Sequence, residues 1–317
     1  MKLVYLDGYT LNPGDLDWAP IKELGELKIY ERTAPSHVVE RSKNAEIVLT
    51  NKVPITWEMI NELPHLKHIA VTATGYNIID LEAAREKGII VTNVKGYSSY
   101  SVAQHTFALL FALTNRVETH DRAVQKGEWK KSQDFTFRKT RLVEMYGKTL
   151  GLIGLGDIGE KVAEIGLALG MEVNVYRKNP KKTTNSKINQ VSLADVFSKS
   201  DVISLHCPLT PETEGIVNKA HLNIMKETAY IINTGRGALV NEKDLASALK
   251  NKKIAGAGLD VLSSEPPTAE NPLLNIENCV ITPHIAWSLK EARERLMGLI
   301  VDNINAYKEG KPINVVN

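Results

Sequence analysis

Three segments late in the chain set chemically capable side chains directly after short apolar runs. In Ile231-Ile-Asn-Thr-Gly235-Arg236-Gly237 an arginine stands between glycines. Its planar fork suits a carboxylate, although an arginine that fixes a turn or a salt bridge fits the same spacing. In Gly258-Leu-Asp260-Val-Leu-Ser-Ser-Glu265-Pro266-Pro267 two acids flank a turn stiffened by prolines. In Val280-Ile-Thr-Pro283-His284-Ile-Ala286 a histidine follows an apolar run. Taken singly, Glu265 reads equally well as a solvated loop acid, and an isolated His284 favours a structural role. Taken together, they form a set that can grip a carboxylate and move a proton.

The element that would bring a redox partner to such a set lies earlier. Thr149-Leu-Gly-Leu-Ile-Gly154-Leu155-Gly156-Asp157-Ile158-Gly159 reads as a short buried strand, a G-x-G-x-x-G turn and the start of a helix. Ile158, Val162, Ile165 and Leu169 then recur at helical spacing until Gly170. A dinucleotide pyrophosphate needs this order. Gly154 allows the tight turn, Gly156 lets backbone approach the phosphates, Gly159 lets helix and strand pack closely, and the helix N-terminus offers free N–H groups.

Two βα series surround these motifs. The first has strands near residues 2–6, 46–50, 67–72 and 88–94, with a helix over 80–87 that opens on Asp80. The second has strands near 149–153, 172–176, 201–206, 229–233, 254–260 and 279–282, with a helical pattern over 241–251. Strands alternating with helices predict α/β architecture, with doubly wound parallel sheets and ligands at the carboxyl ends of the strands. Residues 98–115 predict a buried helix joining the two series, and residues 289–307 a final amphipathic helix. No repeat or low-complexity stretch stands out.

Bulk properties narrow the class. A chain of 317 residues, 43% hydrophobic and 24% charged, is expected to be globular and to hold two domains. Its 39 basic and 37 acidic side chains nearly balance, at a net charge of +2, which gives no reason to expect nucleic acid or a membrane surface as partner. The N-terminal apolar run stops at Asp7, too early for a signal peptide, and no stretch approaches the roughly 20 residues of a membrane span. Cys207 and Cys279 lack metal-ligand spacing and read as reduced core residues of a cytoplasmic protein.

The second strand of the dinucleotide unit decides the cofactor. An acid about 20 residues past the glycines normally marks NAD. Here Tyr176 is followed by Arg177 and Lys178, with Lys181 and Lys182 close behind, and no carboxylate lies between Glu172 and Asp195. Such a loop can hold a 2′-phosphate through charge-assisted bonds. A solvated basic loop that tolerates NAD fits as well, so the expected cofactor is NAD(H) or NADP(H).

Residues 154–159, 233–237, 260–266 and 283–286 match in order and spacing the signatures of the D-isomer-specific 2-hydroxyacid dehydrogenases, and the likeness covers essentially the whole chain. Within that family the sequence looks most like the glycerate dehydrogenase / hydroxypyruvate reductase branch, through Leu205-His-Cys-Pro-Leu-Thr-Pro-Glu-Thr213 and His284-Ile-Ala-Trp287. The resemblance implies a Rossmann dinucleotide domain over residues 100–286 and a flavodoxin-like substrate domain made of 1–99 and 287–317. It also implies a cleft between the two that closes over the substrate.

The resemblance implies residue roles as well. Arg236 would pair with the substrate carboxylate and polarise the carbonyl. His284 would be the general acid, with Glu265 bonding the imidazole and favouring its charged form. Asp260 would contact the nicotinamide carboxamide and ribose. Leu155, Asp157 and Ile158 would line the pyrophosphate turn; Cys207, Pro208 and Thr213 the adenine side; Thr234, Gly235 and Ala286 the rest of the cofactor site. Thr74, Gly75 and Tyr76 would receive the carboxylate, with Tyr97 and Ser98 lining the same pocket. Gly127-Glu-Trp129 resembles an arm used in homodimers, although a surface turn fits it too. No metal is expected. His105 and His120 read as packed or solvated side chains rather than catalytic ones.

The expected reaction is hydride transfer between nicotinamide and a small 2-keto or D-2-hydroxy acid: hydroxypyruvate or glyoxylate to D-glycerate or glycolate. D-lactate or 3-phosphoglycerate oxidation is the alternative within the family. From another class, NAD(H)-sensing corepressors of the C-terminal-binding type share the fold and the three residues.

Overall fold

In a computed structural model, which describes residues 1–178 and 185–317, the chain divides into two compact units. One comprises residues 1–98 and 287–317, the other residues 99–286. Each is described by itself.

The first unit is built on five parallel strands: β1 (Lys2–Tyr5), β2 (Glu26–Ile29), β3 (Ile47–Thr50), β4 (His68–Val71) and β5 (Ile90–Thr92). Their order, β2-β1-β3-β4-β5, is that of a flavodoxin-like sheet. Successive residues of β1 go to opposite faces. Leu3 and Tyr5 join the layer of the last helix (Lys290–Lys308), while Val4 and Leu6 join the layer that holds Ile55, Ile60 and Ala84. Both faces are covered, so the strands read as apolar runs. The edge strand β2 escapes sequence reading because only Leu27 and Ile29 in it are apolar, alternating with Glu26 and Lys28. Charged edge positions of this kind discourage further strand pairing.

His68 opens β4 with no exposed surface. Its Nε2 is 2.9 Å from Thr92 Oγ1, and its ring lies against Tyr307, tilted by 31° with centroids 4.6 Å apart. Burial holds its pKa down to about 4, so the folded chain keeps it neutral. The unfolded chain takes up this proton near pH 6.5. Stability from this group is therefore complete above about pH 6.5 and is lost as pH falls toward 4, by about 3 kcal/mol over the window. Urea unfolding followed by tryptophan fluorescence should show this loss in the wild type, and a correspondingly smaller one in His68→Gln.

The second unit has seven parallel strands: β6 (Thr149–Ile153), β7 (Glu172–Tyr176), β8 (Ile188–Gln190), β9 (Val202–Leu205), β10 (Tyr230–Asn233), β11 (Gly256–Leu259) and β12 (Cys279–Ile281). They run in the order β12-β11-β10-β9-β6-β7-β8. β8 is the strand the sequence conceals, since it offers one apolar residue in three. One face of the sheet packs on the long helix Ser99–Thr114 through Phe107, Leu109, Leu110 and Leu113; the other packs on Phe197, Leu245 and Leu249. Chain order reverses at β6, which lies between β9 and β7. The carboxyl end of β6 is thus a topological switch point, where open α/β sheets bind ligands. No helix among the described residues is long and apolar enough to cross a membrane.

Candidate active site

The loop after β6 has the shape its glycines predict. Gly154 adopts φ +99, and a Cβ there would sit 2.5 Å from the carbonyl oxygen of His206 at the end of β9. A Cβ on Gly159 would sit 2.7 Å from the carbonyl oxygen of Gly154, so the helix Asp157–Ala168 lies tightly against the turn. Gly156 is the N-cap of that helix, and a Cβ there would meet nothing within 4 Å. A bare backbone edge at a helix start, with first-turn N–H groups that lack helical acceptors, is what a pyrophosphate requires. The residues present fit a dinucleotide. Leu155, Asp157 and Ile158 complete the turn.

The surroundings stiffen it. Arg177 follows β7 and donates from Nη2 to the carbonyl of Leu155 at 3.0 Å, while the carbonyl of Tyr176 accepts from the Gly154 N–H at 2.9 Å. Lys178 lies on the surface, 3.4 Å from Glu212. Lys181 and Lys182 lie outside the described residues. Beneath the turn, His206 Nε2 is 2.8 Å from Ser204 Oγ, and burial of most of its ring lowers its pKa to about 4. Cys207 follows, its thiol pushed up to about 11 by burial and so unreactive. The Thr213 hydroxyl donates to the carbonyl of Pro208 at 2.7 Å, closing that loop.

Three further loops leave the carboxyl ends of β10, β11 and β12, and they touch one another. After β10, the side chain of buried Asn233 accepts from the Gly235 N–H at 3.0 Å and donates to the Arg236 carbonyl at 2.9 Å. This presents Arg236 with its side chain exposed and one guanidinium nitrogen 2.9 Å from the Gly235 carbonyl. Asn233 is a positioning residue that motif reading passes over; its signal is an Asn two places before a glycine at a strand end. Next, Gly237 lies flat on the β11 loop, where a Cβ would come within 1.9 Å of the Leu262 carbonyl carbon.

The β11 loop carries Glu265. One carboxylate oxygen accepts from the Leu262 N–H at 3.2 Å, and the other is 2.6 Å from His284 Nδ1. The carboxylate can only accept, so Nδ1 carries the hydrogen and Nε2 is left for proton exchange. Both side chains keep some accessible surface, 25% for His284 and 36% for Glu265. Glu242 anchors the loop further along, accepting from the Ser263 N–H at 2.7 Å and from Asn271 at 2.8 Å.

Asp260 follows β11 and is tied to the His284 turn. Its side chain has no exposed surface. Oδ1 accepts from Thr282 Oγ1 at 2.6 Å and from the Ile285 N–H at 2.9 Å; Oδ2 accepts from the Ala286 N–H at 2.9 Å. Burial alone would raise its pKa, but hydrogen bonds from His105, Thr282 and the two amides outweigh burial and lower it. As it stands, the carboxylate serves its own chain by holding the His284 turn. Ala286 and Thr234 are likewise buried, the latter 3.2 Å from the Thr106 hydroxyl.

The remaining residues expected at a site belong to the first unit. Thr74 donates from its hydroxyl to the Val94 carbonyl at 2.9 Å, and its own carbonyl accepts from Asn93 at 2.7 Å, which fixes the turn through Gly75 and Tyr76. Tyr97 and Ser98 are buried; Tyr97 meets Trp287 edge to face at 6.4 Å, and its carbonyl accepts from Arg295 at 3.0 Å.

A Rossmann sheet with a dinucleotide turn and a histidine–carboxylate pair at its carboxyl ends defines the class: a nicotinamide-dependent oxidoreductase. Comparison with known proteins gives the family. Residues 107–286 match the D-isomer specific 2-hydroxyacid dehydrogenase, NAD binding domain. The chain is 47% identical to a hydroxypyruvate reductase of Blautia hydrogenotrophica, over 100% of both chains. It is 40% identical to a glycerate dehydrogenase of Methylorubrum extorquens, over 99% of this chain and 98% of that one. Among solved structures it resembles an acyclic imino acid reductase (Bsp5) in complex with NADPH and D-Arg, with 36% identity, 100% coverage of both chains and a TM-score of 0.87. The chain belongs to the D-isomer-specific 2-hydroxyacid dehydrogenases, in the glycerate dehydrogenase / hydroxypyruvate reductase branch, and uses NAD(H) or NADP(H).

Proposed function

We propose that the chain reduces hydroxypyruvate or glyoxylate to D-glycerate or glycolate. The observation that carries this reading is the 2.6 Å contact between His284 and Glu265, on a loop that touches the Arg236 loop. The likeness to a hydroxypyruvate reductase and a glycerate dehydrogenase supports the choice of substrate.

When bound, the reduced nicotinamide supplies a hydride to the carbonyl carbon. The turn Gly154–Gly159 would hold the pyrophosphate, and the loop through Pro208 and Thr213 the adenine side. Arg236 pairs its fork with the substrate carboxylate and draws electron density from the adjacent carbonyl. His284 delivers the proton from Nε2 to the carbonyl oxygen as negative charge develops there. Glu265 holds the ring by Nδ1–H, which fixes the tautomer and leaves Nε2 as the exchanging atom. Asp260 keeps the turn in place. The N–H groups of the Thr74–Tyr76 turn, which is tied to Val94 shortly before Tyr97 and Ser98, offer a second set of donors for a carboxylate.

The site favours NADPH through Arg177. Among the described residues Arg177 donates from its side chain to the Leu155 carbonyl, and the guanidinium has further donors that a 2′-phosphate can take. Arg177→Ser should lower the kcat/KM ratio of NADPH to NADH about 10- to 100-fold, the scale of one charge-assisted bond. The chain works as a cytoplasmic homodimer, with Trp129, Phe135 and Tyr146, all well exposed in the single chain, covered by the partner.

The test is a panel of NADH and NADPH against hydroxypyruvate, glyoxylate, pyruvate and phosphohydroxypyruvate, read by loss of reduced-cofactor absorbance. Fastest turnover with hydroxypyruvate or glyoxylate is expected. Preference for pyruvate or phosphohydroxypyruvate would reassign the substrate. Sluggish reduction of every keto acid, with tight peptide binding, would favour a corepressor.

A further inference from the structure

We propose that His105 is a positioning residue, acting through Thr282 and Asp260 to hold the His284 turn in its working conformation. The inference rests on the reading of His284 as the proton donor, but its structural half stands without it. His105 lies within the helix Ser99–Thr114, far in sequence from the loops that carry the chemistry.

His284 has φ +53, in the left-handed region that a residue with a Cβ avoids. Several bonds impose it. The His284 N–H donates to the Asp260 carbonyl at 2.8 Å, and the next two N–H groups, of Ile285 and Ala286, converge on the Asp260 carboxylate. The turn is thus wrapped around one buried acid, and the placement of that acid decides where the imidazole lies.

Thr282 and His105 place the acid. A hydroxyl has one proton, and Thr282 gives it to Asp260 Oδ1 at 2.6 Å. Its oxygen must therefore accept from His105, whose Nε2 is 2.9 Å away and carries the hydrogen. The same nitrogen lies 3.4 Å from Asp260 Oδ1. The carboxylate sets the direction of this chain of bonds, and His105 anchors its outer end by donating to the Thr282 oxygen. With that donor removed, the Thr282 hydroxyl keeps only the carboxylate as partner and is less firmly held.

The experiment uses the full-length chain as wild type, His105→Leu, His105→Gln, Thr282→Val and the His105→Leu/Thr282→Val pair. Hydrogen exchange at the Ile285 and Ala286 amides reads the clamp directly, without substrate. In both single variants that lack the bond, these amides should exchange about tenfold faster or more, and kcat should fall about 10- to 100-fold from a misplaced imidazole. KM for the cofactor should rise by less than kcat falls, because the contacts of the glycine turn are unchanged. The double variant should lose no more than either single one, since both cut the same chain. His105→Gln, whose amide can take the place of Nε2–H, should keep most of the protection and turnover. The inference is overturned if His105→Leu exchanges and turns over like wild type, or if His105→Gln fails as badly as His105→Leu. Lost protection in a chain that reduces no keto acid would instead remove the reductase reading and leave the clamp standing.

Discussion

Replacing His284 by glutamine is expected to lower kcat for keto-acid reduction about 10²–10⁴-fold, the contribution of one well-placed general acid. Glutamine fills a similar volume, and the backbone bonds of the turn remain, so the loop should hold its shape. What it lacks is a proton it can give up near neutral pH. The reaction then has to draw that proton from water, without the 2.6 Å carboxylate contact that steadies the donor. Cofactor binding should be unchanged, because the Gly154–Gly159 turn keeps all its contacts. Stopped-flow measurement at saturating cofactor separates the two. A variant that keeps half the wild-type rate would place the proton donor elsewhere.

The second large effect is expected from a glycine that does no chemistry. In Gly237→Ala the new methyl would lie 1.9 Å from the Leu262 carbonyl carbon, 2.1 Å from its oxygen and 2.4 Å from the Ser263 nitrogen. All three are backbone atoms, so no side-chain rotation relieves the contact. The two loops must part by more than about 1 Å to restore ordinary separation. Leu262 carries the N–H that holds Glu265, and Ser263 the N–H held by Glu242, so the displacement passes directly to the His284 pair. Arg236, one residue before, moves the other way. A shift of that size is expected to lower kcat/KM at least about 10²-fold. The core around Ile231 and Leu259 is untouched, so the protein should fold, with melting lowered by several degrees. Full activity in Gly237→Ala would mean that the two loops need not touch for turnover.

Both effects depend on residues whose importance is visible to different degrees in the sequence. The pyrophosphate turn is legible because its glycines, strand and helix fall in one short run of sequence, even though the atoms that crowd Gly154 belong to His206 and Cys207 on a distant strand end. The central strands are legible for the same reason, since burial on both faces leaves an unbroken apolar run. Among the described residues, two of the four edge strands are not. β2 and β8 carry polar residues at half or more of their positions, whereas the edges β5 and β12 keep apolar runs. The site is split in the same way. Arg236, Glu265 and His284 stand out because their residue types suggest chemistry. What positions them is written at long range: Thr282 meets His105 across 177 positions, and Glu242 reaches Ser263 across 21. Neither pairing leaves a periodic or motif signal. Asp260 shows a related limit, for its residue type gives no sign that its carboxylate ties together Thr282 and the two N–H groups after His284.

The central claim is that one imidazole and one guanidinium act on the same keto acid. A crystal structure of the chain with reduced cofactor and oxamate, an unreactive mimic of a 2-keto acid, addresses it most directly. The account predicts His284 Nε2 within about 3 Å of the oxamate amide-carbonyl oxygen and the Arg236 fork on its carboxylate. Oxamate bound with either side chain turned away from it would contradict the account.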